Sequence, residues 1–165
     1  MTDRTRAILP FNTPFETGLR SLGILSASYP VAFDLQRLVA FDHLVVHTGD
    51  IGGPDSLHPD VPLRSAELLV RRGLVERGLL VMTGRGLIER VTDPSGFLYR
   101  AGEFSATFIG SLASPYLSAL RDRASWVVER YGGLDDQEFR ETMSRYFDQW
   151  IEQFHIVQQG ASDSP

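Results

Sequence analysis

Four side chains with metal-ligand chemistry fall close together in this chain. His43 and His47 lie four residues apart, so a helix puts both imidazoles on one face; Asp50 and His58 follow in the next irregular stretch. Neutral imidazoles and a carboxylate with one open position can hold zinc and activate water. Hydrolytic zinc chemistry also needs a placed general base, and the H-E-x-x-H spacing that supplies one is missing, since Leu44 follows His43. The simpler reading has the histidines hydrogen-bonding the loop backbone, with no metal and no other cofactor. Gly49, Gly52 and Gly53 do not form a phosphate cradle, because no G-K-[ST] follows them and G-D-I-G-G-P is not a dinucleotide fingerprint. No G-x-S-x-G elbow presents a serine nucleophile. Asp42, Asp50, Asp55 and Asp60 read as a solvated loop rim. The expectation is a protein that is not an enzyme.

Composition bounds the rest. At 165 residues and 42% hydrophobic, the chain suits one domain with an appended helical arm. It has no cysteine, which removes disulfides, thiolate metal sites and thiol nucleophiles and agrees with a cytoplasmic protein. No apolar run approaches membrane-spanning length, and MTDRTRAILP lacks the apolar core of a signal peptide, so no membrane partner is expected. The net charge of −5 is unevenly spread. Arg64–Arg90 carries six Arg against three Glu, whereas the chain from Leu134 onward carries seven acids against two Arg. A free-standing duplex binder is usually more basic, so this balance favours docking on a partner with any DNA contact kept local.

The elements that must position these residues are legible in the punctuation. Thr13-Pro14-Phe15-Glu16 caps and starts a helix whose apolar face is Phe15, Leu19, Leu22 and Leu25, with Gly18 and Gly23 permitting close packing. Tyr29-Pro30 ends it. Asp34 caps a second helix that runs to about His47, apolar round most of its circumference and therefore buried. The longest irregular stretch follows, from His47 to Pro62. Ser65–Ala101 then reads as a short helix, a tight turn, a second helix and a two-stranded hairpin of Leu87–Val91 and Phe97–Arg100, that is, a winged helix-turn-helix. Glu103–Leu112 is expected to be helical, Ser114-Pro115 starts another helix that Gly132-Gly133 stops, and Asp135 with Glu138 forms a capping box. The last helix carries Phe139, Met143, Tyr146, Phe147, Trp150, Ile151, Phe154 and Val157 on one side. The expected fold is mainly α (α+β). A winged-helix core domain with flanking helices covers 10–131, a C-terminal amphipathic aromatic helix covers 134–158, and 1–9 and 159–165 are flexible tails.

Within the helix-turn-helix, spacing predicts that Val75, Leu79 and Met82 face inward, continued by Leu87 and Ile88. The outward face then carries Arg71, Arg72, Leu74, Arg77, Leu80 and Val81. A base-reading helix places Arg, Asn, Gln or Ser there, whereas exposed aliphatics seek protein. Leu74, Leu80 and Val81 are therefore expected to bind a partner, as are Phe139, Tyr146, Trp150 and Phe154 of the aromatic stripe, which fits a partner's groove. Any DNA contact falls to Arg71, Arg72, Arg77, Arg85, Arg90 and Arg100. The competing reading is a winged-helix transcriptional repressor, dimeric through the aromatic C-terminal helix.

Four segments in a fixed order carry a resemblance: PFNTPFETGLRSLGIL, HTGDIGGPDSLHP, LVRRGLVERGLLVMTGRGLIE and SPYLSALRDRASWVVERY. Over about residues 10–131 the chain resembles the middle component of bacterial ABC-three-component conflict systems, nearest to middle component 2. The resemblance implies a small non-catalytic subunit accompanying an SMC-like or Rad50-like ABC ATPase and an effector, commonly a nuclease. The setting it implies is anti-phage and anti-plasmid defence of the Lamassu type. Such a subunit bridges ATPase and effector, near DNA bound by the complex. No catalytic residue carries over. The recurrent loop maps to His47, Gly49, Asp50, Gly52, Gly53, Pro54 and His58, which the resemblance makes architectural or partner-contacting.

Overall fold

Helix starts follow directly from capping chemistry. In the computed structural model, which describes residues 13–59 and 65–147, α1 spans Pro14–Ser28 with the Thr13 hydroxyl accepting from the Glu16 amide at 3.3 Å. Asp34 caps α2 (Leu35–Val46) by accepting from the Arg37 amide at 2.8 Å. A complete capping box of Asp135 and Glu138 opens α6 (Asp136–Tyr146). Between them lie α3 (Ser65–Gly84), α4 (Ser105–Ser111) and α5 (Pro115–Tyr131).

The molecule is mostly helical with one small antiparallel sheet. Strands β2 (Ile88–Asp93) and β3 (Gly96–Ala101) form a hairpin closed by Pro94-Ser95, where the Asp93 carboxylate accepts from the Ser95 amide. The sheet gains a strand that sequence reading omits: Phe33–Asp34, β1, pairs with β3 through Phe33–Tyr99 and Asp34–Leu98, giving the order β1-β3-β2. Two residues are too few to carry an alternating pattern.

One expectation inside the central stretch fails. Ser65–Gly84 is a single continuous helix of 20 residues, not two helices and a turn. A lone Gly73 costs only about 1 kcal/mol in a helix interior and does not break it when its flanks favour helix. Gly78 has a different use. A Cβ there would sit 2.6 Å from the Gly18 amide nitrogen, and one at Gly18 would sit 2.9 Å from the Gly78 carbonyl oxygen, so α1 and α3 cross backbone to backbone. Gly23, expected to serve the same purpose, is buried, but among the described residues a Cβ there would meet no atom within 4 Å.

Around this crossing the core closes as the spacing predicts. Val75, Leu79, Met82, Leu87 and Ile88 are buried against Leu22, Leu25, Leu38 and Phe41, and α5 adds Leu120, Ala124 and Val127. α2 is buried nearly all round and is the central helix. α6 does not stand apart as an arm: Phe139 and Met143 enter the core, with the Phe139 ring edge-on to Phe41 at 6.0 Å. Arg37 also lies over that ring, 4.8 Å from its centroid, and donates to Asp136 at 3.0 Å. The later part of the aromatic stripe, including Trp150 and Phe154, lies outside the described residues, as do the two tails.

Candidate functional site

Three helices meet at a charged centre. Asp42 on α2 is 0% exposed and accepts from Arg20 Nε of α1 at 2.7 Å and from Arg71 Nη1 of α3 at 2.5 Å. Burial pushes this carboxyl up, but the two guanidinium groups outweigh burial and hold it below the ordinary aspartate value. Arg20, itself buried, is held charged in the same way, with the Asp42 charge overcoming desolvation. It also donates to the Thr17 hydroxyl at 3.3 Å and to the Tyr116 hydroxyl of α5. An arginine can only donate, so the Tyr116 oxygen accepts and its proton is free to go to His58 Nε2, 2.9 Å away. One polar chain therefore runs Arg71–Asp42–Arg20–Tyr116–His58, from α3 through the core to the loop. Asp42 is not the solvated rim expected of it: its helical position between Phe41 and Leu44 turns it inward, where the two arginines meet it.

That loop is an organised structure. Residues Thr48–Ile51 make a short 3₁₀ turn, the Thr48 hydroxyl donates to the Pro54 carbonyl at 2.7 Å, and the Leu57 and His58 amides both donate to the Val46 carbonyl. Its outer end is held to α5 by Arg123, whose Nε and Nη2 fork onto the Asp55 carbonyl at 2.9 and 2.8 Å. Gly53 packs so closely on Trp126 that a Cβ would stand 2.8 Å from the indole.

The histidines line up along the same edge. The His43 and His47 rings are 4.4 Å apart between centroids, and His47 meets His58 edge-on at 6.4 Å. His43, His47, Asp50, Ile51, Tyr146 and Phe147 bound a cavity of about 130 Å³. Burial, the nearby Arg71 charge and His47 lower the His43 pKa to about 3. Burial, Arg20 and His47 lower that of His58 to about 4, in agreement with a neutral ring accepting from Tyr116. Among the described residues no three His, Asp or Glu side chains are grouped so as to hold a metal ion. His47 is buried and His58 half-buried, so of the three loop side chains His47, Asp50 and His58 only Asp50 is exposed, with Gly49, Gly52 and Pro54 open to solvent beside it. His47 and His58 hold the loop from within.

The outward side of α3 is the exposed counterpart. Leu80 is 70% exposed, with Leu69 and Val70 also open to solvent. Leu74 and Val81, expected beside Leu80, are half-buried, and Val81 packs against the core. Between α3 and the hairpin, Glu76, Leu79, Leu80, Thr83, Arg90 and Tyr99 line an open groove of about 390 Å³. The arginines expected to touch DNA divide. Arg71 is consumed by Asp42; Arg72 pairs with Glu76 at 3.2 Å and Arg100 with Glu89 at 2.7 Å. Arg85 lies over Phe15 and Arg90 over Phe97, both on exposed surface, and Arg77 is exposed. Phe139 is 2% exposed and belongs to the core, so it is withdrawn from the partner-facing set, whereas Tyr146 is 43% exposed while meeting the Tyr131 hydroxyl at 3.1 Å.

Arg20, Asp42 and Tyr116 were missed by sequence reading. The only available signal was the charged pair at i and i+22 on two otherwise apolar helix faces. No helix among the described residues is long and apolar enough to cross a membrane. Residues 10–153 match the family model described as ABC-three component (ABC-3C) system Middle Component 2. No curated protein and no solved structure matches the chain.

Proposed function

The chain belongs to the ABC-three component system middle component 2 family, and from that footing we propose that it is the non-catalytic adaptor of a Lamassu-type defence complex. As a component of a multi-subunit system it works with partners; the finer reading is that it bridges an SMC-like ABC ATPase and an effector nuclease. We further assign its core to the winged-helix arrangement. The order α1-β1-α2-α3-β2-β3 with sheet order β1-β3-β2 supports this, α2 and α3 taking the place of the helix pair and β2-β3 that of the wing.

The observation that carries the adaptor reading is the outward side of α3. A base-reading helix shows forked donors to the groove. Here Leu69, Val70 and Leu80 are exposed and Arg71 is spent inside the protein. Such a surface gains more from burying aliphatic side chains on protein than from phosphate contacts. DNA contact is auxiliary and belongs to Arg77, Arg85 and Arg90.

Two measurements on the full chain test this. Co-expression with the neighbouring genes is expected to yield a complex containing an ABC ATPase and an effector. The purified chain alone is expected to bind duplex DNA weakly, with an affinity that collapses between low and physiological salt. Tight, sequence-dependent binding at physiological salt, lost on Arg77→Glu, would favour the repressor and sink the adaptor.

A further inference from the structure

The outward side of α3 is complementary to itself. At about 100° per residue, Leu69, Gly73, Leu80 and Gly84 fall within an arc of about 60° on the helix surface. Leu80 and Leu69 stand out from it, 70% and 49% exposed. Gly73 and Gly84 are recesses beside them: among the described residues, a Cβ at Gly73 would meet only the Arg77 guanidinium, at 3.8 Å, and one at Gly84 would meet nothing within 4 Å. Among the described residues neither glycine is thus required by packing; Gly73 lies in the helix interior, where Gly is unfavourable, and Gly84 is the last residue of α3.

The order of these features has a centre. Laid antiparallel on a second α3 with the two-fold axis at the Glu76–Arg77 peptide, Leu69 of one copy comes level with Gly84 of the other, and Leu80 with Gly73. At the centre Glu76 comes level with Arg77, twice by symmetry. Each protruding leucine faces a recess and each charge faces its opposite. Among the described residues the ion pair of Glu76 is along its own helix, with Arg72 at 3.2 Å, which leaves carboxylate acceptor capacity for a second guanidinium. The adjoining groove along Leu79, Thr83 and Tyr99 gives room beside the helix for side chains of an approaching copy.

We propose that this face binds a second copy of the chain, forming a two-fold dimer through antiparallel α3 helices. The proposal rests on the reading of the α3 face as a protein-docking surface and names its occupant. An adaptor so paired offers every other surface twice, including the Asp50 edge of the loop and the exposed Tyr146.

Sedimentation velocity on the full chain tests it. The wild-type chain is expected to be dimeric at micromolar concentration. Gly73→Gln fills a recess without burdening the protomer, and it is expected to raise the dimer dissociation constant by at least about tenfold while the thermal transition is kept or raised. Glu76→Arg and Arg77→Glu alone should each weaken the dimer, and the two combined should restore it, because the swap preserves both cross-pairs. A monomeric wild-type chain at about 100 μM would overturn the proposal. So would a dimer that Gly73→Gln leaves untouched, or a charge swap that fails to rescue. A monomer that still co-purifies with ATPase and effector removes the dimer and keeps the adaptor, whereas a dimer that captures neither does the reverse.

Discussion

Arg71 and Arg77 sit six residues apart on one helix and have opposite uses. Arg71 turns inward and meets Asp42 at 2.5 Å, while Arg77 stands exposed on the side that carries Leu80. The inner side of α3 joins three helices through charge; the outer side is aliphatic and open. The contrast teaches that a run of arginines is not a surface until the neighbouring helices are placed. It also explains how a helix can be both fixed in register and open to docking: the ion pair locks its inner side, and Leu69, Val70 and Leu80 on the outer side are left exposed.

The largest effect should come from removing the shared carboxylate. Asp42→Ala leaves Arg20 and Arg71 facing each other in the interior, and a loss of about 3–5 kcal/mol in urea unfolding is expected. Asp42→Asn, which keeps volume but not charge, should also be strongly destabilised, and an unchanged midpoint would mean that the charge is not what joins the helices. Arg71→Ala should cost less, about 1–3 kcal/mol, since Arg20 still pairs with Asp42.

Acid should act next, through the neutral histidines. His43 is held at about 3 when folded against an ordinary 6.5, so as pH falls the unfolded chain takes up its proton first. Stability is therefore full above about 6.5 and is lost as pH falls towards 3. The loss attributable to His43 between pH 7 and pH 5 is on the order of 2 kcal/mol, with less from the more solvated His58. His43→Leu should flatten that part of the pH profile in chemical denaturation. Asp42 works lower down, its contribution present above the ordinary 3.8 and lost as pH falls through its depressed folded value.

The smallest effect closes the comparison. Arg77→Ala is expected to move stability by no more than about 0.5 kcal/mol, because the side chain is exposed and makes no ion pair among the described residues. A loss as large as that of Arg71→Ala would show the two sides of α3 to be equivalent after all.

Legibility followed how local each cause is. Thr13, Asp34, Asp135 and Glu138 act within three residues, and each cap is found where the sequence puts it. The inward set Val75, Leu79, Met82, Leu87 and Ile88 was readable because helical spacing and apolarity agree. β1 was not, because its two residues are a strand only by virtue of β3 beside them. Leu74 and Val81 lie on the flanks of the helix, where spacing alone does not decide between solvent and a neighbour.

The chain's own order of residues determined the capped helix starts at Thr13, Asp34 and Asp135, the hairpin, the buried stripe of α3 and, through its ordered motifs, the family. Only the tertiary structure decided that Asp42 is a buried counter-ion and that Arg71 is spent on it. The same is true of Phe139 in the core and of the His47–His58 loop, which is tied inward through Tyr116. The physical reason is that the cost or worth of a charge depends on what desolvates and faces it, and those partners come from helices 22 to 58 residues away.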